Sequence, residues 1–277
     1  MKWTRRKNLS GWKQRWRCRG CGRTFTPDDG FLWKHHPPGV VVEALSLHLR
    51  GMSERDVSDH LWQHHGVRVS PGTVNRWVLE YARRVEGYVE NLRPQIVGDV
   101  HVDELVVKVG GRNAWRWGAI DSFTKYVISG RLTRRRSYEE GAKPLYRRMK
   151  HGCRGPPPRI VSDKLGHYEK AFHKYFLHTG AVMVHGVPIA SRQHGLKRNN
   201  NPAERDNGRV RQRTKTVRGF KAHPGAEAFL DLLDIQHNYI VPSMALKGGY
   251  PAEAASIHLP LGRNRLLSLI LLASRAS

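Results

Sequence analysis

Residues 97–111, "VGDVHVDELVVKVGG", alternate valine with other residues, the two-residue period of a β-strand. Two more strands are expected downstream, at "NAWRWGAID" (113–121) and "KYVISGRL" (125–132), with Asp121 and Ser122 in the turn between them. A helix is expected near "SYEEGAKPLYRRM" (137–149). "PPPRIVSDKLGHYEKAF" (156–172) then holds a short strand, Ile160 and Val161, which ends at Asp163 before a helix from near Leu165. "AVMVHGV" (181–187) reads as a fifth strand, and a further helix is expected from near Asn201.

Three strands, a helix, a strand, a helix, a strand and a helix describe a ribonuclease-H-like α/β core, a mixed five-stranded sheet with flanking helices. Acids on its first strand, at the end of its fourth strand and on a late helix would converge; here these are Asp103, Asp163 and Glu204. Each has an ordinary alternative. Strand alternation puts Asp103 with His101, opposite Val100, Val102 and Glu104, yet Glu104 could serve in its place. Asp163 could cap the next helix, and Asp121 suits a turn. Asn201 as N-cap and Pro202 at the first helical position would put Glu204 at the capping-box place. Asp206, two positions on, points about 200° away on a helix.

Upstream, residues 37–92 read as three helices, bounded by the proline-containing "HHPPG" (35–39) and "LRPQ" (92–95). Val41, Val42, Leu45 and Leu49 share one face of the first, which Gly51 stops. Ser53, with Asp56 three residues on, starts the second, and Gly66 ends it. Ser70 and Pro71 start the third, whose buried stripe is Val74, Trp77, Val78, Tyr81 and Val85. Thr73, Asn75, Arg76, Arg83 and Arg84 are left facing outward. Helix, short turn and helix with polar and arginine residues near its start is the helix-turn-helix pattern. Asn75 and Arg76 suit base edges, Arg83 and Arg84 suit phosphates; a plain three-helix bundle is the alternative.

Residues 1–36 are basic and aromatic. "WRCRGCGRTFT" (16–26) places Cys18 and Cys21 in a C-x2-C knuckle that looks like half of a zinc ribbon. Structural zinc takes four ligands. Cys153 is distant, and the adjacent His35 and His36 make a poor chelating pair. Either the other knuckle precedes Met1 or the two are free thiols in a basic loop. The expected segments are thus 1–36, 37–92 and 95–277.

The chain has 277 residues, 39% of them apolar, with 48 Lys plus Arg against 23 Asp plus Glu, a net charge of +25. Apolar content at that level is that of a globular protein, and self-repulsion of such a charge calls for a polyanionic partner, nucleic acid first. Between Arg192 and Lys221, ten of thirty residues are Lys or Arg and two are acidic. Three cysteines fit a reducing compartment. "LLSLILLA" (266–273) is too short to span a bilayer and reads as a buried C-terminal helix.

Four stretches carry a family resemblance: "HVDELVVKVGGRNAWRWGAIDSFTKYVIS" (101–129), "PPRIVSDKLGHYEKAF" (157–172), "NNNPAERDNGRVRQRTKTVRGFK" (199–221) and "YPAEAASIHLPLGRN" (250–264). They resemble DDE-class insertion-sequence transposases of bacteria and archaea, nearest to the family named "insertion sequence six". The third is the most specific, because its acid is followed seven positions on by a basic residue, Arg211. The resemblance implies Asp103, Asp163 and Glu204 as catalytic ligands of two Mg²⁺ (or Mn²⁺) ions, and it favours Asp103 over Glu104. It further implies terminal inverted repeats and target DNA as partners, a homo-oligomer that joins two ends together, and a cytoplasmic, nucleoid-associated location. Hard cations do take carboxylate oxygens, and paired ions suit in-line attack on a phosphodiester. Arg211 and Lys215 share the Glu204 face two and three turns on and suit phosphates nearby. Asp163 and Glu204 lie 41 positions apart, longer than in many relatives, with the extra length expected around "HGVPIASRQHGLKR" (185–198).

Overall fold

A computed structural model describes residues 1–8, 11–163, 165–185, 200–217 and 219–276. The long interval proposed at 185–198 lies outside them, apart from the backbone of His185. The chain forms two compact units, Met1–Val89 with Pro260–Ser277, and Glu90–Leu259.

The first unit opens with an antiparallel sheet in the order β1 (Lys2–Asn8), β2 (Gly11–Arg17), β3 (Thr24–Phe25). Cys18 and Cys21 lie in the loop between β2 and β3. Three helices follow, α1 (Pro38–Leu49), α2 (Glu54–His65) and α3 (Pro71–Val89). Their ends obey the local signals. Ser53 and Asp56 make a reciprocal capping box on α2, and Gly66 closes it in the left-handed region at φ 63. The Ser70 hydroxyl accepts from the Thr73 amide at the start of α3. The expected apolar stripes of α1 and α3 are buried, with Ala44, His48 and Ala82 added to them.

The second unit is built on β4 (Val100–Val109), β5 (Arg112–Asp121), β6 (Val127–Thr133), α4 (Lys143–Gly152), β7 (Arg159–Ser162), α5 (Gly166–Tyr175), β8 (Val182–His185), α6 (Asn201–Thr216), α7 (His223–Ile235) and the short α8 (Pro251–Ala254). The five strands form one mixed sheet in the order β6-β5-β4-β7-β8. β4, β5 and β6 are antiparallel neighbours, and β7 and β8 run parallel to β4. Gly110 and Gly111, at φ 56 and 74, form the two-residue turn from β4 to β5. Asp121 is the turn residue expected, accepting from the amides of Val97, Phe123 and Thr124.

Helices cover both sheet faces. On one, Trp117 of β5 meets Tyr168 of α5 edge-on at 5.7 Å. On the other, the fully buried Arg116 of β5 donates to Asp206 of α6 at 2.9 Å and to Asp234 of α7 at 2.8 Å. Gly130 of β6 makes room for this pair, since a Cβ there would lie 1.9 Å from Asp234 Oδ2. The last helix, α9 (Arg265–Ala276), returns to the first unit, where Leu266, Leu269, Ile270 and Ala273 are buried.

Candidate active site

β4 and β7 pair in parallel only through Val100–Ile160 and His101–Val161. β7 ends at Ser162, one residue past that pairing, while β4 runs on to Val109. Asp103 stands on β4 just past the last paired residue, and Asp163 follows the end of β7. Oxygens of Asp103, Glu104 and Asp163 all lie within 4.8 Å of one another. The structure therefore brings two of the three expected acids together, with Glu104 beside them.

Partners separate Asp103 from Glu104. In register, Asp103 faces Gly118 and Glu104 faces Trp117, so their side chains leave opposite faces of the sheet. Glu104 accepts from the Tyr168 hydroxyl at 2.7 Å and forms an ion pair with Arg136. Asp103 accepts from the Glu104 amide at 2.9 Å and from Asn207 Nδ2 at 2.8 Å. Burial pushes the Asp103 carboxyl up to about 6; the Glu104 amide pulls the other way, and the charges of Glu104, Asp163 and Glu204 add to the rise. Asp163 accepts from the Leu165 amide at 3.1 Å, ahead of α5 rather than as its cap.

Glu204 sits in the first turn of α6, exposed, outside the compact cluster but near enough to act on Asp103. Helix α6 begins one residue earlier than the sequence suggests. Asn200, not Asn201, holds the cap position, and no side-chain cap is made. The Asn200 amide instead donates to the Val102 carbonyl at 3.2 Å, and its oxygen meets His101 Nδ1 at 3.2 Å. Asn200 and Asn207 thus tie α6 to β4 on either side of Glu204. Sequence reasoning missed both, although Asn207 shares the Glu204 face at i+3. Asp206 does point away, into the core, where Arg116 and Arg209 hold its carboxyl well below the usual range against the cost of burial. Arg211 and Lys215 are exposed further along α6.

Asp103, Glu104 and Asp163 offer hard oxygen donors, which fit a divalent cation such as Mg²⁺. Hydrogen bonding to Cys21 and the Gly20 backbone lowers the Cys18 thiol. Among the described residues, no third His, Cys, Asp or Glu joins Cys18 and Cys21. Cys153 is buried in the other unit, its thiol pushed up to about 12 by burial.

On α3, Asn75, Arg76 and Arg83 are exposed and Thr73 is partly so. Arg84 is turned inward, donating to Asp28 at 3.1 Å and Ser274 at 2.9 Å.

A family model described as a DDE domain matches residues 97–239, just over half of the chain. The transposase for insertion sequence-like element IS431mec of Staphylococcus aureus strain Mu50 is 27% identical over 135 residues, covering 48% of this chain and 58% of that protein. The transposase for insertion sequence element IS257 in transposon Tn4003 of Staphylococcus aureus gives the same figures. The match thus spans little more than half the length of these curated relatives. Among solved structures, the simian T-cell lymphotropic virus intasome in complex with PP2A regulatory subunit B56 gamma has a TM-score of 0.44 at 12% identity, covering 79% of this chain and 76% of that one. The HTLV-2 integrase catalytic core domain in complex with magnesium has a TM-score of 0.42 at 13% identity, covering 60% and 99%.

Proposed function

The chain belongs to the DDE-domain transposase family, and from that premise we propose that it binds the ends of an insertion sequence, nicks them and joins each 3′-OH to target DNA. The observation that supports this is the approach of the Asp103 and Asp163 carboxylates near the end of β7; Glu204, in the first turn of α6 and outside that group, is proposed as the third acid. Asp103, Asp163 and Glu204 are the residues that would hold Mg²⁺. Bound there, a pair of such ions would activate the attacking oxygen and stabilise the leaving one.

The remaining roles fall to the protein's own groups. Asn207 fixes one oxygen of Asp103 and the Glu104 amide the other, which holds the carboxylate in place. Tyr168 and Arg136 occupy Glu104, which supports Asp103 as the ligand from this strand. Arg211 and Lys215 hold phosphates along α6. Thr73, Asn75 and Arg76 of α3 read terminal-repeat bases from the major groove, and Arg83 holds the backbone. A homo-oligomer holds two ends for joining.

The test is a labelled terminal-repeat duplex incubated with purified protein and Mg²⁺, beside a Glu204→Gln variant. Nicked and joined products from the parent alone are expected. Nicking without joining would instead identify a hydrolytic nuclease. Binding without cleavage by either protein would leave a non-catalytic DNA-binding relic and overturn the proposal.

A further inference from the structure

A second group of metal-ligating side chains lies in the helical part of the first unit. Glu43 of α1 meets His60 Nε2 at 3.1 Å and His65 Nε2 at 2.9 Å, both from α2. All three donors lie within 4.8 Å of one another. The approach of His65 is not what a regular helix would give. Residues five apart on a helix point about 140° apart. His65 is the last residue of α2 before Gly66 turns the chain at φ 63, which frees it to swing beside His60. His64, one turn on from His60, stands against it with ring centroids 4.4 Å apart.

We propose that Glu43, His60 and His65 form a binding site for a borderline transition-metal ion, Zn²⁺ being the best fit. Two imidazole nitrogens and one carboxylate oxygen are a donor set that Zn²⁺ takes, with a fourth position left for water. Mg²⁺ prefers all-oxygen sites and is disfavoured here. Ligands around a tetrahedral Zn²⁺ stand roughly 3.3 Å apart for bonds of about 2.0 Å. The two Glu43 spacings need to open only slightly, and the two histidine nitrogens stand within 4.8 Å of each other. To bind, each imidazole turns an unprotonated Nε2 inward and keeps its proton on Nδ1. The ligands are partly exposed, at 26% for His60, 34% for Glu43 and 38% for His65, so an ion can reach them. His65 and Glu43 also line a groove of about 540 Å³, which leaves space for the fourth ligand. The bound ion would staple α1 to the end of α2, directly before the turn into α3. The site is independent of the acids in the second unit, and so is its test.

The full chain carrying Cys18→Ser and Cys21→Ser, stripped with chelator and kept in excess Mg²⁺ to fill the all-oxygen site, is titrated with Co²⁺ and then Zn²⁺. A single equivalent of Co²⁺ should give visible ligand-field absorption without a thiolate charge-transfer band, and Zn²⁺ should displace it. Glu43→Gln and His60→Ala in the same background should each weaken binding by roughly tenfold or more. Zn²⁺ should also raise the melting temperature of the parent in a concentration-dependent way, and not that of the variants. Glu43→Gln is close to isosteric, and circular dichroism checks that its helices form, so the result stands even if His60→Ala misfolds. Absence of binding by the parent, or binding unchanged in Glu43→Gln, would reduce the cluster to a carboxylate hydrogen-bonded by two imidazoles.

Discussion

Asp103 is held in a state that disfavours folding at neutral pH. Its carboxyl rises from an ordinary 3.8 to about 6 because burial and three neighbouring acids oppose its charge. Between those values the folded chain binds more protons than the unfolded one, so this group lowers stability as pH rises through the window. The loss levels off once the pH is well above 6 and is at most on the order of 3 kcal/mol. Asp103→Asn should therefore stabilise the metal-free protein at pH 7.5 by about 1–2 kcal/mol while abolishing nicking. The Asn side chain can still accept from the Glu104 amide, and Asn207 can turn its own amide over to meet it. Urea denaturation in EDTA across pH 4.5–8 checks this, with the gap between parent and variant closing toward the acid end. A variant less stable than its parent at pH 7.5 would contradict the electrostatic account. A divalent cation should stabilise the parent and not the variant.

At the scale of the element, α6 carries Glu204 to the sheet, and Arg116 anchors it from beneath. Arg116 has no solvent contact and bridges Asp206 on α6 to Asp234 on α7. Arg116→Met would leave two buried carboxylates short of a cation, at a cost of about 3–5 kcal/mol. Chemical denaturation should show that loss, and nicking should fall with it although no acid of the site has changed. If stability is retained, the pair does not anchor the helix. This anchor also marks the limit of what could be read from sequence. The strands, the capping box at Ser53 and the stripe of α3 were legible because each depends on residues a few positions apart. Acids at these strand positions were legible for the same reason, but the alternation left Asp103 and Glu104 both open, and only the family resemblance chose Asp103. The partners of Arg116 lie 90 and 118 positions on, and nothing local in "NAWRWGAID" distinguishes a buried arginine from an exposed one. The cap was placed at Asn201 and Asn200 was missed, because the role of Asn200 rests on β4 being alongside, which nothing local shows. Helix α9 announced itself as apolar, but its place with α1 and α3 depends on a face formed some two hundred residues earlier.

For the whole molecule, a charge of +25 should make the proposed DNA binding steeply dependent on salt. Each phosphate neutralised releases counterions, so log K should fall against log salt with a slope of about −0.9 per contact. Six to ten contacts would lose roughly 10³–10⁵ in affinity between 50 and 200 mM salt. The exposed cations divide by what they are expected to touch. Removing Arg83, Arg211 or Lys215 should weaken binding to any duplex and make the slope shallower by about 1 each. Arg76→Ala should instead cost about 1–3 kcal/mol on terminal-repeat DNA and less on unrelated sequence. Arg84→Ala should leave the slope unchanged and lower stability, because its guanidinium is already held by Asp28 and Ser274. Fluorescence anisotropy across a salt series, with terminal-repeat and scrambled duplexes, separates these outcomes. Equal losses on both duplexes for Arg76→Ala would remove α3 as the reader of sequence and leave it only a phosphate-binding helix.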